Sequence, residues 1–238
     1  MDSLLSQDCL TVGVSFDIAG MAWRDPRTGE ITGFEADLSR AIARELLGSP
    51  DRIAFVQVLP DQRIAALQQG RADMVVAQLT ITPDRAEQVD FSIPYYEARE
   101  AILVRAGSAI KTYEDLQGKR IAVPAGSISL RRLQARLTQG ALEATLIVTP
   151  LESQGLEAVA DGTADAASND NINLLLMRKH CARPELFEIL DIGDHFDPKP
   201  FGIAVTKGNR KLVDLLDLAI SRFEADGRLR SLLERAFS

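Results

Sequence analysis

The sequence predicts an α/β fold built from two similar modules, and three observations indicate it. Apolar runs of strand length alternate with amphipathic helical stretches along the 238 residues. Residues 70–73 (GRAD) have a counterpart in residues 162–165 (GTAD), and each set closes a predicted helix and opens a short strand, which favours an internal duplication. A hydrophobic content of 46% over this length is enough to fill two cores.

The first part of the chain alternates between strands and helices. Residues 10–16 form the first predicted strand, and the amphipathic stretch 34–47 forms the first helix. A strand at 52–58 and a helix at 62–69 follow. The apolar run 72–79 (ADMVVAQL) predicts the next strand, which leads into the most informative segment of the sequence.

The rest of the chain repeats this alternation, and it ends in helices with apolar residues at helical spacing, such as Leu212, Leu216, Ala219 and Phe223. The predicted strands are 101–105, 120–124, 146–149, 164–168 and 201–205, and the predicted helices are 129–137, 153–161, 171–178 and those within 209–237.

Charge and motif content exclude several classes of function. The net charge of -7 argues against nucleic acid or an anionic membrane surface as a partner. No apolar run approaches the roughly 20 residues that span a bilayer, and no charged segment followed by an apolar one opens the chain, so the sequence shows no export signal. Cys9 and Cys181 lack metal-site or CxxC spacing, and we expect them to lie apart, with one disulfide as the alternative.

Arg85 closes the segment 78–85 (QLTITPDR), which combines a helix start with a guanidinium. Thr82 is suited to the N-cap and Pro83 to the first helical turn. The fork of five N–H groups on an arginine matches a carboxylate, and a helix N-terminus favours negative charge. The segment therefore indicates a site for a small carboxylate, with a solvated or structural ion pair as the alternative.

Three further blocks carry a resemblance to a known family. Residues 33–38 (GFEADL), 90–96 (DFSIPYY) and 201–205 (FGIAV) stand in the order and spacing found in bacterial amino-acid-binding proteins of polar amino-acid ABC importers. The resemblance implies a two-lobed periplasmic-binding-protein fold of type II, in which two α/β lobes are joined by two short crossing strands with a ligand cleft between them. It implies a first lobe of residues 1–97 and 201–238 and a second lobe of residues 98–200.

The same resemblance assigns roles to residues of the predicted site. Arg85 is expected to hold the ligand's α-carboxylate with Thr80, while the backbone carbonyl of Gln78 accepts from the ammonium group. Asp170 matches the position that pairs with the ammonium, with a plain helix N-cap as the alternative. Lys199 is expected to be solvated, with contact to a ligand carboxylate as the alternative.

The segment 125–129 (AGSIS) lies between a predicted strand and a helix, where successive amides can hold an anion. The resemblance makes it the second lobe's carboxylate contact. The family usually has threonine where Ile128 stands, so Ile128 contributes its amide, and Ser127 or Ser129 supplies a hydroxyl. The alternative is an ordinary serine-capped helix.

Arg63 is the predicted determinant of ligand class. Members of the family that bind glutamate or aspartate carry an arginine at this position for the side-chain carboxylate, and a surface arginine is the alternative. The family often stacks an aromatic residue on the ligand after the first strand. Residues 18–22 contain none and Trp23 is displaced, which weakens the case for a basic ligand.

These features predict a monomeric, non-enzymatic, extracytoplasmic or periplasmic receptor without cofactor or metal. It binds glutamate or aspartate, closes its lobes on the ligand and presents it to an importer permease. The alternatives are a receptor for a neutral amino acid such as glutamine, a sensing domain of a membrane receptor, and an enzyme similar to cyclohexadienyl dehydratases. The enzyme would need a general acid that faces its cleft.

Overall fold

The computed structural model describes residues 9–192 and 196–238, and the chain divides into two compact units. Unit 1 comprises residues 9–58, Gln62–Tyr96 and Pro200–Ser238, and unit 2 comprises Leu59–Asp61 and Glu97–Lys199. The segment Leu59–Asp61 thus groups with unit 2, although the sequence placed it in the first lobe. Residues 1–8 and 193–195 of the predicted lobes lie outside the described residues.

The described part of the chain alternates strands and helices as an α/β fold requires. The strands are β1 (Leu10–Val14), β2 (Asp17–Ile18), β3 (Ala22–Arg24), β4 (Ile31–Thr32), β5 (Ile53–Gln57), β6 (Met74–Val75), β7 (Val89–Ala98), β8 (Glu100–Arg105), β9 (Arg120–Pro124), β10 (Thr145–Thr149), β11 (Ala166–Asp170), β12 (Phe187–Asp191) and β13 (Lys199–Thr206). The α-helices are α1 (Phe34–Leu47), α2 (Arg63–Gln68), α3 (Pro83–Ala86), α4 (Ile128–Thr138), α5 (Gln154–Asp161), α6 (Asn171–His180), α7 (Arg210–Ala225) and α8 (Arg228–Ala236).

Unit 1 is built on a five-stranded sheet in the order β5-β1-β6-β13-β7. Strand β1 pairs in parallel with β5 and β6, and β13 runs antiparallel to β6. Leu10, Val12 and Val14 of β1 share one face of the strand and are fully buried, and on the other face Gly13 is buried and Thr11 half-buried. A second, three-stranded sheet of β2, β3 and β4 was not predicted, because its strands have only two or three residues each.

Unit 2 contains a five-stranded sheet in the order β10-β9-β11-β8-β12. Strand β9 is parallel to β10 and β11, whereas β8 is antiparallel to β11 and β12. The core of this unit is apolar, and Ile121, Val123 and Leu133 are among its buried residues. Because β9 and β11 are parallel, their carboxyl ends lie at the same edge of the sheet, where ligands of open α/β sheets are bound.

The predicted α/β fold is confirmed, with further differences at β6, β7 and β12. The predicted strand 72–79 shortens to β6, and Gln78, with φ 44°, interrupts the extended backbone before the predicted end. The ten-residue strand β7 was missed, since Pro94 in its interior disfavours a strand, and β12 was missed as well.

Two other expectations concern the whole chain. Cys9 and Cys181 are both free thiols, so the disulfide alternative is wrong. Among the residues that the structure describes, no helix has both the length and the apolarity to cross a membrane.

Candidate functional site: one polar cluster on each unit

Gln78 to Thr80 form a fixed segment that follows β6 by two residues. Gln78 is the one non-glycine residue with positive φ in the described ranges, a conformation that costs an L-residue roughly 1–2 kcal/mol. Thr80 forms an isolated bridge with Phe201 of β13, and the N–H of Ile81 donates to the carbonyl of Pro200 at 2.8 Å. The backbone is therefore held in place on both sides of the predicted ligand contacts.

Arg85 lies in the short helix α3 and is only 7% exposed. Its Nη1 donates to the carbonyl of Thr80 at 2.9 Å, which fixes the direction of the guanidinium. Thr82 occupies the N-cap with an extended backbone and Pro83 the first turn, as predicted, but the Thr82 side chain makes no cap hydrogen bond. The alternative of a solvated Arg85 is wrong.

Glu35, in the first turn of α1, is a fully buried carboxyl that sequence reasoning left without a role. Its Oε1 accepts from the Gln78 N–H at 2.8 Å and from the Tyr95 hydroxyl, and its Oε2 accepts from the Gln78 side-chain amide. Burial raises the pKa of Glu35 from 4.5 to about 8, and the charge of Arg63 and these hydrogen bonds only partly oppose it. The signal in the sequence was an acid next to Phe34 on the apolar face of a helix.

Arg63, the first residue of α2, is 3% exposed, so the surface alternative is wrong. Its Nη1 donates to the carbonyls of Ala77 and Gln78 at 2.8 and 3.2 Å. The peptide N–H of Gln78 is held by Glu35 and its carbonyl by Arg63. The predicted role of the Gln78 carbonyl needs its second lone pair, because the first accepts from Arg63. We call Glu35, Arg63, Gln78, Thr80, Arg85 and Tyr95 the unit 1 cluster.

Asp170 ends β11 and occupies the N-cap position of α6, but its side chain makes no cap hydrogen bond. The side-chain Oδ1 lies 2.9 Å from Nζ of Lys199, and the residue is 8% exposed. The plain N-cap interpretation of Asp170 is therefore wrong. Its carboxylate is part of a charge network within unit 2.

Lys199 is 1% exposed, so the prediction of a solvated lysine is wrong. Its Nζ lies 2.5 Å from Oε2 of Glu100 and donates to Oγ of Ser129 at 2.8 Å. Burial lowers the pKa of the ammonium, but the charges of Asp170 and Glu100 outweigh it and raise the pKa above its usual 10.5. We call Glu100, Ser129, Asp170 and Lys199 the unit 2 cluster.

The side chain of Ser127 caps the start of α4, as the alternative of an ordinary serine-capped helix predicts. Ser127 Oγ accepts from the N–H of Leu130 at 3.0 Å and donates to the carbonyl of Pro124 at 2.7 Å. Ile128 is the first residue of α4, so its amide belongs to the helix N-terminus. A Cβ on Gly126 would lie 2.7 Å from Cα of Asp61, so this position needs glycine and packs against the backbone of the segment Leu59–Asp61.

No group of three or more His, Cys, Asp and Glu residues within the described ranges could hold a metal ion. The charged groups near Gln78 and Asp170 are instead arranged for hydrogen bonds and ion pairs. This chemistry suits a small zwitterion.

Comparisons with known proteins find relatives over nearly the whole chain. The profile of the bacterial extracellular solute-binding proteins, family 3, matches residues 10–238. The ABC transporter glutamine-binding protein GlnH of Bacillus subtilis (strain 168) is 31% identical over 234 residues, which cover 98% of this chain and 82% of that protein. The structure of an ancestral arginine-binding protein bound to arginine has a TM-score of 0.86 and 33% identity, and the match covers 97% of this chain and 99% of that one.

A third likeness bears on the enzyme alternative. The ancestral amino acid-binding protein AncCDT-1, described as a precursor of cyclohexadienyl dehydratase, has a TM-score of 0.86 and 31% identity, with coverage of 100% of this chain and 99% of that one. These likenesses confirm the two-lobed periplasmic-binding-protein fold. None of the three proteins is described as binding glutamate or aspartate, so the acidic ligand stays a prediction.

Proposed function

We propose that this chain, which belongs to family 3 of the bacterial extracellular solute-binding proteins, binds a free amino acid outside the cytoplasm and delivers it to an ABC importer. The observation that carries the proposal is a buried cation on unit 1, Arg85, and a buried anion on unit 2, Asp170. A zwitterionic amino acid needs both charges, because its own charged groups lose water on binding.

On unit 1, the α-carboxylate is assigned to Arg85 and Thr80. The hydrogen bond from Arg85 to the Thr80 carbonyl supports this assignment, because an oriented guanidinium loses less side-chain freedom on binding. The Gln78 carbonyl accepts from the ligand's ammonium through its second lone pair.

On unit 2, the ammonium is assigned to Asp170 and the carboxylate to the amides at Ser127 and Ile128. Two carboxylates, Glu100 and Asp170, adjoin the single ammonium of Lys199. Arg132 lies 3.8 Å from Glu100 and brings the formal charge of this group to zero, so Asp170 has only a share of one cation. This arrangement supports Asp170 as the partner of a ligand ammonium. A ligand that joins groups on both units favours the conformation in which all contacts form, which is how binding shifts a population.

L-Glutamate is the first candidate ligand, and glutamine is the second. The guanidinium of Arg63 is buried, which supports a ligand with a second carboxylate, because a cation held away from water pairs strongly with an anion. Glutamine is favoured by the Bacillus subtilis relative, whose name states that ligand. A charge pair held away from water discriminates between these two isosteres, because the neutral amide leaves a buried charge without its partner.

Calorimetric titration of the twenty amino acids into refolded protein tests the proposal, since refolding removes ligand carried through purification. We expect glutamate to bind most tightly. Arg85→Ala should lose affinity on the order of 3–5 kcal/mol, because it removes the partner of a desolvated carboxylate. Retained wild-type affinity in this variant would remove Arg85 from the site.

The ligand class is tested by titrating glutamate and glutamine into wild type and Arg63→Ala. We expect the variant to lose glutamate affinity and keep most of its glutamine affinity. The ratio of glutamate affinity to glutamine affinity should therefore be smaller than in wild type. Tighter wild-type binding of glutamine would reject the acidic ligand and leave the receptor assignment intact.

An enzyme related to cyclohexadienyl dehydratases is the second candidate function, because of the likeness to AncCDT-1. Such an enzyme needs a general acid that reaches its substrate. Glu35 has a raised pKa, but it is fully buried and bonded to Gln78 and Tyr95, which argues against this role. Turnover of prephenate by the purified protein would reverse the assignment.

A further inference from the structure

Glu35 is a buried carboxyl that accepts most of its hydrogen bonds from one residue of the proposed site, Gln78. Two of them come from the backbone and the side chain of Gln78, and one comes from Tyr95. An acid on the apolar face of α1 loses its water on folding, and a nonpolar residue would fill the same space without that loss. Packing therefore does not explain Glu35, but its bonds to Gln78 do.

Gln78 needs such support because of its backbone. A non-glycine residue with φ 44° persists only where its surroundings fix it. Glu35 fixes the N–H and the side-chain amide, and Arg63 fixes the carbonyl. The following residue is fixed as well, because the carbonyl of Leu79 accepts from the N–H of Gly202 at 3.1 Å.

We propose that Glu35 is a positioning residue of the amino-acid site, which holds Gln78 in its left-handed conformation and so presents Thr80 and Arg85 to the ligand. The inference rests on the proposed function and deepens it. Tyr95 supports Glu35, because its hydroxyl donates to the same oxygen that accepts from Gln78. Substitutions at Glu35 should therefore act on ligand affinity through the segment 78–80.

The protonation state of Glu35 gives this role a signature. The titratable and charged groups that face Glu35 are Tyr95 on β7 and Arg63 on α2. Ionisation of Glu35 as the pH rises through about 8 places a negative charge beside Arg63 and the ligand segment. The neutral acid is thus the form that favours an acidic ligand.

The test compares Glu35→Ala, Glu35→Gln and a matched control, Asp90→Asn. Asp90 is also a buried acid of unit 1, but it bonds to Lys207 and Gly208. The probe is the amino acid that wild type binds most tightly. We expect a loss of at least about tenfold in affinity for Glu35→Ala, and losses within about threefold for Glu35→Gln, which can still accept from Gln78, and for Asp90→Asn.

The same titrations are repeated between pH 6 and 9 for wild type and Glu35→Gln. We expect the affinity of wild type relative to the variant to fall as the pH rises through about 8. The ratio cancels the ligand's own titration. Because this comparison uses the conservative variant, it tests the role even if Glu35→Ala does not fold.

Three outcomes overturn the positioning role: wild-type affinity in Glu35→Ala, an equal loss in Asp90→Asn, or a flat affinity ratio across the pH range. Each of these leaves the proposed function standing, since wild type still binds. Failure of wild type to bind any of the twenty amino acids instead rejects the proposed function, and the positioning role with it.

Discussion

The unit 1 and unit 2 clusters bury charged groups in different ways. In unit 1, Arg63 and Arg85 donate to backbone carbonyls, and the buried acid Glu35 has a pKa of about 8. In unit 2, Lys199 forms ion pairs with Glu100 and Asp170, and burial of this ammonium does not prevent its pKa from rising. Unit 1 therefore reduces its buried charge by protonation, whereas unit 2 compensates its charges pairwise.

This difference predicts which changes should destabilise each unit most. Removing one partner from a buried ion-pair network leaves charges without compensation, which costs several kcal/mol. Removing a neutral acid leaves hydrogen-bonding groups unsatisfied, which costs less. Unit 2 should therefore respond most to charge removal, and unit 1 most to pH.

Lys199→Met should have the largest effect on stability. It leaves Glu100 and Asp170 buried without their shared cation, and we expect a loss of about 3–5 kcal/mol in the free energy of unfolding, measured by urea titration. Lys111→Met is the matched control in unit 2, because its pair with Glu188 is about half exposed and contributes less than about 1 kcal/mol. Equal losses in both variants would show that the unit 2 cluster is not a buried charge network.

Glu35 should give unit 1 a stability that depends on pH. The folded state keeps the Glu35 proton up to about pH 8, while the unfolded chain releases it near pH 4.5. The contribution of Glu35 to the free energy of unfolding is therefore full below pH 4.5 and is lost as the pH rises to 8. Between pH 5 and 7 the free energy of unfolding should fall by about 2–3 kcal/mol, at about 1.4 kcal/mol per pH unit. Urea titrations should show this slope in wild type relative to Glu35→Gln, and parallel curves would mean that Glu35 is ionised.

The local features of the two clusters could be predicted from the sequence, and their long-range contacts could not. Thr82, Pro83 and Arg85 lie within four positions, so a local pattern located the helix start and the guanidinium. The helix α1 was predicted at both ends because the apolar face of residues 34–47 is periodic. Local patterns of this kind determine where a helix begins, and they carry over directly from sequence to structure.

Long-range contacts were not predictable in the same way. Lys199 bonds to Ser129, 70 positions away, and Glu35 bonds to Tyr95, 60 positions away. A lysine near a strand start is solvated unless such partners exist, and its own neighbours in sequence do not reveal them. The conformation of Gln78 was missed for the same reason, because distant side chains hold it.

Asp170→Asn tests whether unit 2 contributes a charge to the ligand. The variant keeps the shape of the side chain, and we expect it to weaken amino-acid binding by about 2 kcal/mol, measured by calorimetry. Asp165→Asn is the control, because Asp165 pairs with Arg120 in a partly exposed salt bridge of the same unit. An unchanged dissociation constant in Asp170→Asn would leave Asp170 only its structural pair with Lys199.

Ser127→Ala should have the smallest effect, and it separates the side chain of the α4 helix start from its amides. The hydroxyl caps the helix by accepting from Leu130, so its loss should cost about 1 kcal/mol of unfolding free energy. The amides at Ser127 and Ile128 remain in the variant, so amino-acid affinity should change by no more than about threefold. Ser127→Thr retains a capping hydroxyl and should recover most of the stability. A large loss of affinity in Ser127→Ala that Ser127→Thr restores would mean that the hydroxyl itself binds the ligand. Unit 2 would then recognise the carboxylate with a side chain, as we propose for Arg85 in unit 1.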